Sequence, residues 1–168
     1  MAPEGKDDSD LLVAGDVDAI FHPAEPKAFV ERHPKITRLF TDHRSVEQAY
    51  FKKTGIFPIM HMVAVNRELA KEHPALIPAV FEAYSKAKQL DYRLMHKMGA
   101  YFSTLPWHGQ ELRETRALMG ENFYPYGMEG SRKALDTALR YVFEQGLAKR
   151  LVKADEIIHP AAQGLEET

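Results

Sequence analysis

Cysteine is absent from the 168 residues, so nothing points to the disulfide framework of a small secreted domain. No apolar run approaches the roughly 18 to 20 residues that span a bilayer. Charge of one sign is also missing. A formal net charge of -2 offers no handle for nucleic acid or an anionic membrane, and neither partner is expected. The eight histidines are scattered, and His22, His33, His73 and His159 each precede a proline. None forms a His-x-His, His-x-x-x-His or HExxH pattern, so no metal is expected. A glycine-rich phosphate loop and a Ser-His-Asp arrangement are likewise lacking, and no cofactor is expected. The opening MAPEGKDDSD is acidic and polar where an export signal begins basic and turns apolar, which makes a cytoplasmic protein the expectation.

What is present is ordinary globular material, 45% hydrophobic and 27% charged. A chain of this length is expected to form one core and to bury on the order of two thirds of its unfolded surface. Residues 1–7 read as a frayed end, followed by a short helix through Leu11, Leu12 and Val13 that Gly15 can stop. Val17–Phe21 reads as a short strand broken by His22-Pro23, and Ile36–Phe40 as a second. Between them, Phe29 and Val30 suggest a helical turn that Pro34 prevents from continuing. Thr41 and Asp42 offer caps for a helix ending near Thr54 and Gly55.

The segment GIFPIMHMVAVN, residues 55–66, is apolar on both sides of a two-residue repeat, with Phe57, Ile59, His61, Val63 and Val65 on one side. This reads as a third strand, buried on both faces by helices. Beyond Pro74 the period becomes helical, with Leu76, Val80, Phe81, Tyr84, Leu94, Met98 and Phe102 among the repeating positions. Lys86, Lys88, Asp91, Arg93 and Lys97 read as the solvated face of that helix. A helix over Gln110–Met119, an aromatic loop at 122–127, a helix capped by Ser131 and stopped by Gly146, a turn near Asp155–Ile158 and a polar tail complete the chain. The fold class expected is α/β, with short strands in the first 65 residues and a helix-rich remainder. Three strands make a narrow sheet for so much helix, so the chain reads as part of a larger design.

Tyr50-Phe51-Lys52-Lys53-Thr54-Gly55-Ile56-Phe57-Pro58-Ile59-Met60-His61 resembles the YYRRTGIFPIMH-type segment of the 4,5-dihydroxyphthalate decarboxylase family. A second block agrees: Thr115–Gly120, Tyr124-Pro125-Tyr126-Gly127, Arg132-Lys133, Leu139-Arg140-Tyr141 and Glu144–Leu147, with Leu105-Pro106-Trp107 between the two. Lys52 and Lys53 stand where arginines are usual, a change that removes planar two-point binding if those positions clamp a carboxylate, and Tyr124 stands where tryptophan is common. The resemblance covers nearly all of this chain and about the C-terminal half of a family member. It implies part of the two-lobed fold of type 2 periplasmic binding proteins. In that frame residues 1–55 are the end of the second lobe and the hinge, 56–160 return to the first lobe with its C-terminal helices, and 161–168 are a flexible tail.

The activity implied is non-oxidative loss of CO2 from a dihydroxylated aromatic diacid to give protocatechuate. Direct departure of CO2 leaves an in-plane aryl carbanion, so ring protonation first, aided by a hydroxyl para to the leaving carboxylate, is the accessible route. His61 is the best proton donor, its unperturbed pKa near 6.5 allowing exchange at neutral pH; the competing reading is a core histidine bonded to a backbone carbonyl. Pro58 fits an edge or a bulge, where a neighbouring side chain can face a cleft. Arg38, Arg44 and Arg67, near strand ends, are candidates for the carboxylates. Tyr50, Phe57, Trp107, Tyr124 and Tyr126 are candidates for stacking on the ring or contacting its hydroxyls, against the plainer reading of packing under a loop. The partner expected is a small aromatic carboxylate, and a homo-oligomer is compatible with the sequence. Two other readings compete: a non-catalytic solute-binding protein of the same fold, and an inactive truncated family member.

Overall fold

The computed structural model describes residues 5–97 and 103–167. The chain divides into two compact units, Met1–Ala49 and Tyr50–Thr168.

In the first unit, α1 (Asp8–Ala14) begins at a capping box. The Asp7 carboxylate accepts from Asp10 N–H and the Asp10 carboxylate accepts from Asp7 N–H, both at 3.0 Å, which satisfies two of the donors a helix start leaves open. Gly15 ends it at φ 83°, as its position predicts. α2 (Lys27–Val30) packs on α1, and the buried Ser9 hydroxyl accepts from Ala28 N–H at 3.2 Å. The helix α3 (His43–Thr54) runs from this unit into the next, with Asp42 accepting from Ser45 N–H near its start.

The second unit continues with α4 (Arg67–Glu72), α5 (Leu76–His96), α6 (His108–Met119), α7 (Met128–Glu144), α8 (Ala154–Ile157) and α9 (Pro160–Gln163). α9 packs on α5 and α7, and α8 on α7. No helix among the described residues is long and apolar enough to cross a membrane.

The expected α/β class is overturned, because the described residues contain helices and no strand. Val17–Phe21, Ile36–Phe40 and 56–65 carry β-type patterns, yet none has a paired neighbour. A pattern reports suitability for a half-buried pleated surface, while a strand needs a second backbone to take its N–H and C=O groups. Phe21 and Leu39 are almost fully exposed. The segment 56–65 is not covered on both faces either: Phe57, Met60, Met62 and Val63 are about half exposed. A part of a type 2 periplasmic-binding-protein-like sheet is therefore not what the described residues form.

Smaller corrections follow from local chemistry. α4 was not expected, although its signal is present in Asn66, whose side chain accepts from Glu68 and Leu69 N–H at 3.0 and 3.1 Å. α7 starts at Met128 after Gly127, ahead of the expected Ser131 cap. Gly127 lies at φ 92°, and a Cβ there would stand 2.9 Å from the Leu165 carbonyl oxygen. A glycine turn, with no side-chain cap, sets the start of that helix. Lys88 is buried and does not belong to a solvated face. The predicted continuation of α5 through Met98 and Phe102 lies outside the described residues, as do the first four residues of the expected frayed end.

Hydrophobic burial is thin. The buried apolar residues are Ala28, Ala70, Met128, Leu135 and Ala154, and no large side chain among the described residues is fully enclosed.

Candidate functional site

A cavity of about 760 Å³ lies within the second unit. One wall is the non-helical segment 57–65: Phe57, Ile59, His61, Val63 and Val65 line the space, and Pro58 and Met62 from the other side of the two-residue repeat line it too. The first half of α5 supplies Ile77, Val80, Phe81 and Tyr84, the loop after α6 supplies Asn122 to Gly127, and the first turns of α7 supply Ser131 and Lys133. The lining is mostly apolar and aromatic, with a few polar groups and no carboxylate side chain, the composition typical of a small-molecule site. Phe57 and Tyr124 meet edge to face at 6.3 Å between centroids, and Tyr124 and Tyr126 do the same at 6.1 Å.

A buried ion pair far apart in sequence holds the aromatic loop. Lys88 on α5 places Nζ 2.5 Å from Glu167 Oε1 and 2.6 Å from its Oε2. The same ammonium donates to Asn122 Oδ1 at 2.8 Å and to the Tyr124 carbonyl at 2.9 Å, using all three of its protons. It also faces the rings of Tyr126 and Tyr92 at 4.5 and 5.4 Å. Glu167 in turn accepts from Tyr126 N–H at 2.9 Å and from Asn122 Nδ2 at 3.0 Å. Tyr92 adds a further tie, its hydroxyl accepting from Tyr124 N–H at 3.1 Å while its ring stacks on Phe123 at 4.7 Å.

Electrostatics follow from these contacts. Burial alone raises the Glu167 carboxyl pKa, but hydrogen bonds from Lys88, Tyr126 and Asn122, with the charge of Lys88, outweigh it and leave the group below its ordinary value. Burial pushes the Tyr92 and Tyr126 phenols up, and the neighbouring Glu167 charge adds to this. Both phenols are therefore neutral hydrogen-bonding groups near neutral pH.

The sequence-derived candidates separate into groups. His61, Phe57, Tyr124 and Tyr126 come together around the cavity, and His61 is solvent-exposed there, not sealed among apolar side chains. Tyr50 lines a neighbouring groove with Lys53, Lys133 and Arg140. Arg67 is the first residue of α4 and Trp107 the N-cap of α6, and neither lines the cavity. Arg38 belongs to the first unit, where it pairs with Glu25 and lies over the Phe29 ring at 4.7 Å; Arg44 sits in the first turn of α3. Reasoning from sequence missed Lys88, Glu167 and Lys133. No local pattern marks an ion pair 79 positions apart. Lys133 was visible only as part of the Arg132-Lys133 block.

Among the described residues, no group of three or more His, Cys, Asp or Glu is placed to hold a metal ion.

Comparison with known proteins agrees with the sequence blocks. The chain is 33% identical over 161 residues to a 4,5-dihydroxyphthalate decarboxylase of Comamonas testosteroni. The match covers 96% of this chain and 49% of that protein, so the chain spans about half the length of its relative. It is a distant, partial homologue. No family model matches.

Proposed function

We propose that the chain binds a dihydroxylated aromatic diacid in this cavity and takes part in its non-oxidative decarboxylation, 4,5-dihydroxyphthalate to protocatechuate being the reaction the resemblance suggests. The observation that carries this reading is the exposed His61 imidazole on the wall of an aromatic-lined cavity.

In the proposed step the His61 imidazolium protonates the ring carbon that bears the departing carboxylate. The hydroxyl para to that carbon releases its proton and becomes a carbonyl. The carbon–carboxylate bond then breaks and CO2 leaves; its electron pair restores the aromatic ring as the carbonyl returns to a phenolate, which takes back a proton from the medium. One proton is consumed overall, and the imidazole recovers its own from the medium. Tyr84, Tyr124 and Tyr126 supply hydroxyls for the ring substituents, and Phe57 supplies a face for the ring.

The test is incubation of the purified chain with 4,5-dihydroxyphthalate while CO2 and protocatechuate are followed. His61→Ala is expected to reduce turnover by about 100-fold or more, the range for loss of a general acid. Turnover unchanged in His61→Ala removes the imidazole from the chemistry. The mostly apolar and aromatic lining also suits a second reading, a binding module for small aromatic carboxylates without turnover. Saturable binding of the diacid with no product at any pH selects that reading.

A further inference from the structure

Beside the cavity, α3 and α7 bound a shallower groove of about 440 Å³. Helical spacing brings its residues together. Tyr50, Lys53 and Thr54 stand at i, i+3 and i+4 on α3, and Lys133, Thr137, Arg140 and Tyr141 at i, i+4, i+7 and i+8 on α7. The groove thus gathers three cations and four hydroxyl groups, and no carboxylate lines it.

Lys53 and Lys133 enter no ion pair among the described residues. Arg140 has only Glu144 at 3.5 Å, an exposed contact one helical turn away, and its guanidinium lies 4.9 Å from the centre of the Tyr141 ring. Like charges collected around one depression repel each other, and an anion placed among them relieves that repulsion. Lys133 also lines the cavity. Its Nζ lies 3.6 Å from where a Cβ would stand on Gly55, itself a cavity-lining residue, so the ammonium occupies the boundary between the apolar and the cationic space.

We infer that this groove is the carboxylate-holding subsite of the cavity, with Lys133 shared between the two. The inference rests on reading the cavity as an aromatic-acid site, and it moves the carboxylate contacts from Arg38, Arg44 and Arg67 to Lys53, Lys133 and Arg140. The aromatic ring lies among Phe57, Tyr124 and their neighbours, and the carboxylates project past Gly55 toward the two lysines. Lysine suits such a site as a mobile point charge, while Arg140, stacked on Tyr141, presents a fixed plane.

Calorimetric titration of the full chain with phthalate, and with dimethyl phthalate as the uncharged counterpart, tests this at low and high salt. Phthalate is expected to bind about tenfold tighter than the diester, as one charge-assisted hydrogen bond provides, with the advantage shrinking at high salt. Lys133→Met and Lys53→Met should each erase most of that advantage while leaving diester binding unchanged, and Arg132→Met, outside the groove, should leave both ligands unaffected. Circular dichroism establishes that the variants fold. Equal affinity for diacid and diester overturns the inference, as does an equal loss for both ligands in Lys133→Met or an absence of phthalate binding. The decarboxylation reading fails separately, by lack of CO2 release under conditions where charge-dependent phthalate binding persists.

Discussion

Replacing Lys88 by methionine keeps the length and apolar stem of the side chain and deletes one charge. In the native chain the side chains of Lys88 and Glu167 are only 7% and 11% exposed. The substitution therefore leaves a nearly enclosed carboxylate with Tyr126 N–H and Asn122 Nδ2 as its remaining donors. Removing one partner of a buried ion pair typically costs about 3–5 kcal/mol. The two surviving donors place this case at the lower end, about 3 kcal/mol. For a cooperative unit of this size that lowers Tm by roughly 10 °C. Lys88→Met combined with Glu167→Gln removes the stranded charge and should regain about 1–2 kcal/mol, so the pair is non-additive. Urea and thermal unfolding followed by near-ultraviolet circular dichroism read both quantities, since Tyr92, Tyr124 and Tyr126 surround the pair. A single variant within about 0.5 kcal/mol of the parent, or strict additivity in the double variant, refutes the argument that this ion pair anchors the aromatic loop.

Acid titration provides a second test. Because Glu167 has a folded-state pKa below the ordinary 4.5, its contribution is fully present above that value and is lost as pH falls through the depressed one. Glu167→Gln should therefore flatten the acid limb of the stability profile below about pH 4.5, and an unchanged slope there contradicts the assignment. Glu156, lowered to about 2 chiefly by its hydrogen bonds with Arg150 and then by Lys153 N–H, should titrate in that region by nuclear magnetic resonance, whereas an ordinary value would mean that the Arg150 pair does not persist in solution. Gly127→Ala should destabilise by at least about 1–3 kcal/mol, because φ 92° with ψ 164° is accessible essentially to glycine alone and the new Cβ meets the Leu165 carbonyl. Gly146→Ala, at φ 73° with open space around it, should cost less; equal urea midpoints for the two variants would contradict the steric part of the reasoning.

Much of the helical structure was legible because it depends on neighbours in the chain. Gly15, Asp42 and Gly146 mark helix ends through local backbone chemistry, and the three- and four-residue recurrence of apolar side chains marks α5 over most of its length. Along 57–65 the apolar run that suggested a strand supplies one cavity wall, with side chains from both sides of the repeat lining it. The same pattern misled about fold class, because β-suited residues carry no information on whether a second backbone lies beside them.

The sequence by itself determined where several helices end, at Gly15, Gly55 and Gly146, the aromatic loop and the placing of His61 with Phe57 along one segment, since each follows from spacing and local hydrogen bonding. Only the tertiary structure decided that Lys88 lies inside with Glu167, that Lys133 stands between a cavity and a cationic groove, and that no sheet forms among the described residues. Those outcomes join positions tens of residues apart, where burial and charge pairing depend on the path of the whole chain and not on any short stretch of it.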